Sequence, residues 1–131
     1  MPTREALIEE ARRARERAIA PYSKFRVGAA LTTRAGRVIQ GCNIENASYG
    51  LTVCAERVAL LAALSQGERE FDAIAVVSQS PEPATPCGPC RQLLWEYCGD
   101  LEVVLASLSG KIETHSLAEL LPRPFTLDPE V

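Results

Sequence analysis

Apolar and polar residues repeat along this chain with two different periods, and the changes of period divide it into helices and strands. The first stretch, from Thr3 to about Ala20, places a stripe of small and aliphatic side chains between charged ones. That spacing predicts an amphipathic helix, which Pro21 ends. Residues 54–66 are apolar on nearly every side, which predicts a mostly buried helix that stops at Gly67.

Short runs rich in valine, isoleucine and alanine predict the strands. Two of them, residues 26–33 and 37–44, are separated by a short turn at Ala35-Gly36, which favours a β-hairpin. A proline-rich loop and a third helix, residues 88–98, follow the strand predicted at residues 72–80. The remaining predicted elements are strands at residues 72–80, 101–107 and 111–115 and a short helix at residues 117–121.

The order of these elements predicts the fold class. Strands and helices alternate in the second half of the chain, and this order favours crossover connections with helices on both faces of a sheet. The early hairpin adds antiparallel strands, so we expect an α/β fold with a mixed central sheet. With 131 residues and 47% apolar content, the chain is expected to form a single domain, residues 1–131, with its own core.

Composition limits the classes of binding partner and the cellular compartment that we expect for this protein. A formal net charge of −3 and a pI near 5.2 give no basic surface for nucleic acid, so we expect a small-molecule substrate. No apolar run is long enough to span a bilayer, and no membrane partner is expected. Five cysteines, an odd number without a secretory leader, indicate a reducing cytoplasm rather than a disulfide framework.

Two short clusters of cysteine, one of them with a glutamate, indicate the chemistry. Residues 54–56 read Cys-Ala-Glu, and residues 86–90 read Pro-Cys-Gly-Pro-Cys. Three thiolates can hold a zinc ion while one coordination position stays open for water, and a nearby carboxylate can move protons at that position. The pattern therefore predicts a hydrolytic site. Its zinc ligands would be Cys54, Cys87 and Cys90, and its proton carrier would be Glu56.

Three thiolates give the zinc unit a net negative charge, so positive groups are expected beside it. Each cysteine cluster opens a predicted helix, and the free N–H groups and dipole of a helix N-terminus favour thiolate over thiol. Pro89 suits a first helical turn, where its missing N–H is not needed. An arginine follows each cluster, and we expect Arg57 and Arg91 to support the thiolates.

Four ordered motifs closely resemble those of the short-chain, homotetrameric cytidine deaminases. They are residues 21–30 (Pro-Tyr-Ser-Lys-Phe-Arg-Val-Gly-Ala-Ala), 41–46 (Gly-Cys-Asn-Ile-Glu-Asn), 52–57 (Thr-Val-Cys-Ala-Glu-Arg) and 86–92 (Pro-Cys-Gly-Pro-Cys-Arg-Gln). The likeness covers nearly the whole chain and includes the zinc deaminase signature in its all-cysteine version. It implies a three-layer α/β/α sandwich with one zinc ion per chain. It also implies deamination of free cytidine and deoxycytidine in pyrimidine salvage.

The resemblance implies roles for the residues that would bind the nucleoside. Phe25 would lie against the pyrimidine ring, and the backbone of Ala55 would help to hold that ring. Asn43 and Glu45 would bind the ribose hydroxyls. Because a 5′-phosphate near Glu45 would meet a like charge, we expect a nucleoside rather than a nucleotide substrate.

The implied tetramer shares its active sites between subunits. Tyr49 and Phe125 are similar to the aromatic residues that reach a neighbouring subunit's site in this family. A short chain offers little depth to enclose a nucleoside, so aromatic side chains from a neighbour are physically sensible.

Alternative interpretations remain open at the level of sequence. The pair Cys87 and Cys90 is also the redox motif of thioredoxin-like proteins. A structural zinc would need a fourth ligand, for which Cys42, Cys98 and His115 are the candidates. A related aminohydrolase acting on another aminopyrimidine, such as a nucleoside antibiotic, would keep the zinc chemistry. A non-catalytic zinc-binding interaction module is the last alternative.

Overall fold

The structure, a computed structural model, describes residues 2–127 and 129 and confirms the predicted α/β fold. In this part of the chain no helix combines the length and the apolar character needed to cross a bilayer. The strands are β1 (Val27–Thr33), β2 (Val38–Cys42), β3 (Phe71–Ser78), β4 (Glu102–Ser107) and β5 (Ile112–Ser116). The helices are α1 (Arg4–Arg15), α2 (Ala55–Ser65), α3 (Gly88–Cys98) and α4 (Leu117–Leu120), with a 3₁₀ turn at Tyr49–Leu51.

The five strands form one mixed sheet in the order β2-β1-β3-β4-β5. Strands β3 and β4 are parallel, and α3 is part of the crossover that joins them. The other neighbouring strands are antiparallel, and β1 and β2 form the predicted hairpin. Gly36, in the hairpin turn, has a φ of 90°, a conformation that glycine adopts without steric cost.

Helices cover both faces of the sheet, which gives the three layers that the family resemblance implies. Successive residues of a strand point to opposite faces. Leu31, Ile74 and Leu105 therefore pack with α2 and α3, whereas Ala30 and Ala75 face α1 on the other side. The core thus consists of two apolar layers, one on each face of the sheet.

The first helix is shorter than the sequence pattern predicts. It ends at Arg15 rather than near Ala20, and Glu16 is its C-cap. The main chain of Ile19 forms hydrogen bonds with Asn43 and Glu45, at 3.0 and 2.9 Å, as an isolated bridge beyond the end of β2. Helical periodicity could not reveal this, because the bridge depends on a segment that is distant in sequence.

A glycine lets the helix that carries the first cysteine cluster lie directly on the hairpin. A Cβ atom added to Gly41 would lie 2.5 Å from the carbonyl oxygen of Ala55 and 2.5 Å from the backbone nitrogen of Ala59. Both contacts are with the backbone of α2, which cannot move aside as a side chain can. The position of the first turn of α2 therefore depends on the absence of a side chain in β2.

Replacing Gly41 with alanine should displace the start of α2 and destabilise the protein. We expect the free energy of unfolding to fall by about 1–3 kcal/mol, the usual cost of inserting a methyl group into a well-packed site. Denaturant titration of the variant and the parent protein measures this change.

The matched control is Gly50→Ala, since an added Cβ at Gly50 has no neighbouring atom within 4 Å. It should leave the free energy of unfolding nearly unchanged. A Gly41→Ala protein as stable as the Gly50→Ala protein would show that α2 does not depend on this close approach.

Candidate metal centre and active-site cavity

Both cysteine clusters lie at helix N-termini that converge. Cys54 is the N-cap of α2 and Cys87 is the N-cap of α3, while Cys90 lies in the first turn of α3. Each helix follows a segment tied to the sheet. An antiparallel bridge between Ile44 and Val53 leads into α2, and the proline-rich loop after β3 leads into α3. The free N–H groups and positive dipole ends of two helices thus face one place.

The three sulfur atoms lie at separations that suit one zinc ion. The Sγ atom of Cys87 is 3.9 Å from that of Cys54 and 3.3 Å from that of Cys90. All three lie within 4.8 Å of one another, and they form the single cluster of potential metal ligands found among the residues described. Tetrahedral zinc with bonds of about 2.3 Å to sulfur requires separations of about 3.8 Å. The donor set and its spacing therefore fit zinc.

The thiols are unequal in their affinity for protons. The pKa of Cys54 is lowered to about 5 because Cys90 hydrogen-bonds to its sulfur and because Arg57 is close. The same interaction with Cys54, together with burial, raises the pKa of Cys90. Zinc binds thiolates, so Cys54 is the ligand already prepared for it.

Arg57 lies where the sequence predicted a positive group. One of its Nη atoms donates to the carbonyl oxygen of Thr52 at 3.0 Å and lies 3.9 Å from the sulfur of Cys54. Its Nε atom is buried without a hydrogen-bond partner. Its charge therefore lies beside the first cysteine and the chain that leads to it.

Arg91 is placed differently from our expectation. Its Nε donates to the carbonyl oxygen of Pro86 at 2.7 Å, and an Nη donates to that of Leu120 at 2.6 Å. Its guanidinium is thus directed at two main-chain carbonyls instead of at the sulfur atoms. These contacts hold the backbone before Cys87, and support of the thiolates by Arg91 stays a prediction.

Glu56 is buried beside the cysteines, with a relative exposure of 5%. Burial raises the pKa of its carboxyl group to about 7, and the charge of Cys54 adds to this effect. The residue follows Cys54 by two positions in the first turn of α2, so the helix fixes its position relative to the first sulfur.

A cavity of about 220 Å³ opens in front of these groups. It brings together four residues predicted from the sequence as binding or catalytic, Phe25, Asn43, Ala55 and Glu56, with two of the cysteines. The other lining residues, which sequence reasoning missed, are Val27, Thr52, Ala84 and Thr85. The motifs at residues 21–30 and 52–57 contain two of these four, but only the fold shows that they face the cavity.

Asn43 connects two walls of the cavity through its side chain. Its Oδ1 accepts a hydrogen bond from the backbone of Val27 at 2.9 Å, and its Nδ2 donates to the carbonyl oxygen of Phe25 at 2.8 Å. Each amide atom keeps capacity for one more hydrogen bond. Asn43 therefore positions Phe25 and can still contact a ligand.

Glu45 holds the turn that precedes Phe25. Its carboxylate accepts hydrogen bonds from the backbone of Tyr22 and Ser23, at 2.9 and 3.1 Å, and from the Ser23 hydroxyl. The bond from the Ser23 hydroxyl, followed by these backbone bonds, lowers the pKa of Glu45. Lys24, in the same turn, adopts a left-handed conformation with a φ of 60°. Glu45 is thus absent from the cavity lining and acts on the shape of this turn.

Tyr49 and Phe125 lie on the surface of the subunit, with relative exposures of 78% and 69%. Tyr49 makes an edge-to-face contact with Tyr22. Gln92 holds the backbone of Phe125 through two hydrogen bonds of 2.8 and 3.0 Å. The lining of the cavity includes neither ring, so the structure leaves both aromatic side chains facing outward.

The alternative fourth ligands lie elsewhere. His115 is hydrogen-bonded to Glu113 and Glu119 at the edge of the sheet, and these bonds raise its pKa. Burial raises the pKa of Cys98 to about 12, so this thiol keeps its proton. His115, Cys98 and Cys42 all lie outside the cluster of potential metal ligands.

The three-sulfur metal centre with a buried carboxyl group, on a three-layer α/β/α fold, defines a zinc-binding hydrolase. Residues 1–107 match the family model described as the cytidine and deoxycytidylate deaminase zinc-binding region. This match covers well over half of the chain. The chain therefore belongs to the cytidine and deoxycytidylate deaminase family.

Individual relatives agree with this assignment. A cytidine deaminase of Halalkalibacterium halodurans is 54% identical over 126 residues, which cover 95% of this chain and 96% of that protein. A cytidine deaminase of Sporosarcina psychrophila is 50% identical over 123 residues, covering 93% and 90%. The crystal structure of a cytidine deaminase from Burkholderia pseudomallei has a TM-score of 0.93 and 54% identity, and the match covers 95% of this chain and 100% of that one.

Proposed function

We propose that this protein catalyses the zinc-dependent hydrolysis of cytidine and deoxycytidine to uridine and deoxyuridine, with release of ammonia. The observation that carries the proposal is the buried carboxyl group of Glu56, which shares one cavity with sulfur atoms spaced for zinc. Cys54, Cys87 and Cys90 would hold the ion. When bound, zinc lowers the pKa of water to near neutrality and so supplies the nucleophile.

Glu56 moves the protons that this reaction requires. Its carboxylate takes a proton from the attacking water and transfers it to ring N3 of the pyrimidine as C4 is attacked. It then takes the remaining proton from the hydroxyl group now on C4 and transfers it to the amino nitrogen, so that the C4–N bond breaks and ammonia leaves. Water and cytidine are thereby converted into uridine and ammonia. Burial suits this role, because it raises the pKa of the carboxyl group to about 7, so that the group can both give and take a proton near neutral pH.

The cavity walls orient the nucleoside. Phe25 stacks on the pyrimidine ring, and the backbone of Ala55, at the first turn of α2, contacts its polar edge. Asn43 uses its remaining hydrogen-bond capacity for a ribose hydroxyl. For Glu45, also assigned to the ribose, we propose that the sugar lies at the mouth of the cavity, next to the turn that this carboxylate holds.

Cytidine is favoured over other aminopyrimidines by two considerations. The relatives that are 54% and 50% identical carry the name cytidine deaminase. The cavity lining also includes Phe25 and Asn43, which the resemblance to cytidine deaminases assigns to the pyrimidine ring and the ribose. We further propose that the reaction serves pyrimidine salvage in the cytoplasm, where a reducing environment keeps all five free cysteines available as thiols.

Replacing Glu56 should separate catalysis from metal binding. We expect Glu56→Ala and Glu56→Gln to keep about one zinc per chain and to lose roughly 10²- to 10⁴-fold in kcat, the usual contribution of a general acid and base. Loss of cytidine absorbance, ammonia release and metal content measure these quantities.

The glutamine variant is the sharper test, since it preserves the shape of the side chain and removes only its ability to transfer a proton. Near-normal turnover by Glu56→Gln would refute the assignment. If the unaltered protein binds zinc and leaves cytidine and deoxycytidine intact, the proposed substrate is wrong.

The enzyme should discriminate strongly against CMP. Among the residues described, the cavity lining contains no lysine or arginine, so a 5′-phosphate would find no cation there and would lie near the charge of Glu45. Like charges at close range cost several kcal/mol. We therefore expect kcat/KM for CMP to be at least about tenfold below that for cytidine.

The variant Glu45→Gln provides the control for this effect. Any change in the shape of the turn affects kcat/KM for both substrates, whereas loss of the negative charge raises kcat/KM for CMP alone. The ratio of the two kcat/KM values should therefore shift toward CMP. Equal kcat/KM values for CMP and cytidine in the parent enzyme would contradict the use of Glu45 against phosphate.

We also propose that the protein works as a homotetramer with shared active sites. Ligand cavities usually exceed about 300 Å³, whereas the cavity of one subunit measures about 220 Å³. The exposed rings of Tyr49 and Phe125 could extend the walls of a neighbour's cavity.

Subunit complementation tests this arrangement. We expect Phe125→Ala to lower kcat/KM and Glu56→Gln to be inactive. When the two variants are refolded together, activity should exceed that of the same variants mixed after folding, because an intact Glu56 then meets an intact Phe125 from the neighbour. A monomer by light scattering, or no recovery on joint refolding, would refute shared sites.

A further inference from the structure

Arg91 joins three parts of the chain that meet behind the second cysteine cluster. It lies in the first turn of α3, where its backbone nitrogen donates to the carbonyl oxygen of Cys87 at 3.0 Å. Its side chain reaches the carbonyl of Pro86 at 2.7 Å and that of Leu120, at the end of α4, at 2.6 Å. One residue thus contacts the carbonyl groups of Pro86 and Cys87, at the end of the proline-rich loop, and the final turn of another helix.

The part of the loop next to Cys87, residues 83–86, has few other constraints. The contacts of Pro81 with Ser109 and of Glu82 with Lys111 hold only the earlier part of the loop. Among the residues described, the bond from Arg91 to the Pro86 carbonyl is the hydrogen bond found in residues 83–86. Residues 79–86 form no regular secondary structure, and Cys87 is exposed although its neighbour Pro86 is fully buried. Since the orientation of the peptide between residues 86 and 87 directs the Cys87 side chain, fixing the Pro86 carbonyl fixes the direction of a metal ligand. If the Cys87 side chain were free to change direction, the affinity of the site for the ion would fall.

The other end of this connection is anchored to the core, against which Leu120 is partly buried. Helix α4 begins with a capping box, in which the side chains of Ser116 and Glu119 each accept a hydrogen bond from the backbone N–H of the other residue. Leu117 is fully buried, and its nitrogen donates to the carbonyl of Leu101 at 2.8 Å. The carbonyl of Leu120 therefore belongs to a packed and capped helix, to which Arg91 can tie the loop.

We propose that Arg91 is a positioning residue of the metal centre, which fixes Cys87 by joining the Pro86 carbonyl to the end of α4 through the Nε and one Nη of its guanidinium group. The inference rests on the proposed zinc site and adds α4 to the elements on which that site depends. It differs from electrostatic support of the thiolates, because the required property is the forked geometry rather than the charge. Lysine carries the same charge but presents a single ammonium group.

The test is zinc affinity, measured by competition with a chelator and independent of turnover. We expect Arg91→Met to weaken zinc binding about 10- to 100-fold, as removal of groups that orient metal ligands usually does. Arg91→Lys should also bind zinc more weakly than the parent protein.

The matched control is Arg69→Met. Arg69 likewise donates to two main-chain carbonyls, those of Leu64 and Glu68, but at the far end of α2, and its loss should leave zinc affinity unchanged.

The outcomes separate the possible errors. Parent-like zinc affinity in Arg91→Met would overturn the inference alone. Parent-like affinity in Arg91→Lys together with loss in Arg91→Met would show that charge suffices, which also overturns it. Equal losses in the Arg91→Met and Arg69→Met proteins would indicate general destabilisation and would overturn it too. If the parent protein itself fails to bind zinc, the proposed function fails and this inference fails with it. Should Arg91→Met not fold, the lysine variant decides the matter.

Discussion

The meeting of two helix N-termini is the constraint on which the rest of this structure depends. Cys54 and Cys87 each cap a helix, and their sulfur atoms approach to 3.9 Å only because α2 and α3 begin at the same place. Three thiolates so close together repel one another. Unpaired N–H groups and the positive ends of two dipoles reduce that repulsion when all three cysteines are deprotonated to hold an ion. The mixed sheet sets the two starting points, so the fold and the site cannot be varied independently.

The two arginines that follow the cysteine clusters make different contacts around the metal centre. Arg57 brings its charge to within 3.9 Å of a sulfur, whereas Arg91 is directed at carbonyl groups behind the site. The motif residues show a similar division. Asn43 and Glu45, two positions apart, both bind backbone around Phe25, and only Asn43 also lines the cavity. Polar residues of the motifs that were predicted to bind the ligand therefore also determine the shape of the cavity walls.

The sequence was sufficient for the elements whose signals are local. The spacing of the cysteines, the helix stop at Gly67 and the hairpin turn near Gly36 all depend on neighbouring residues, and the predicted helices and strands are present. The end of α1 could not be predicted, because Ile19 leaves the helix to pair with residues 43–45. The partners of Arg91 were missed for the same reason. An arginine beside a cysteine suggests a charge interaction until the fold brings the end of α4 within reach.

Lys24 has a consequence for how ligands meet this protein. A residue with a side chain in the left-handed region costs about 1 kcal/mol or more, and here the carboxylate of Glu45 and the side chain of Gln79, which donates to the Lys24 carbonyl at 3.1 Å, keep the turn in place. That cost is met once, during folding. Phe25 follows this turn directly, so a ligand that enters the cavity meets a preorganised wall and does not lose affinity to the ordering of a loop.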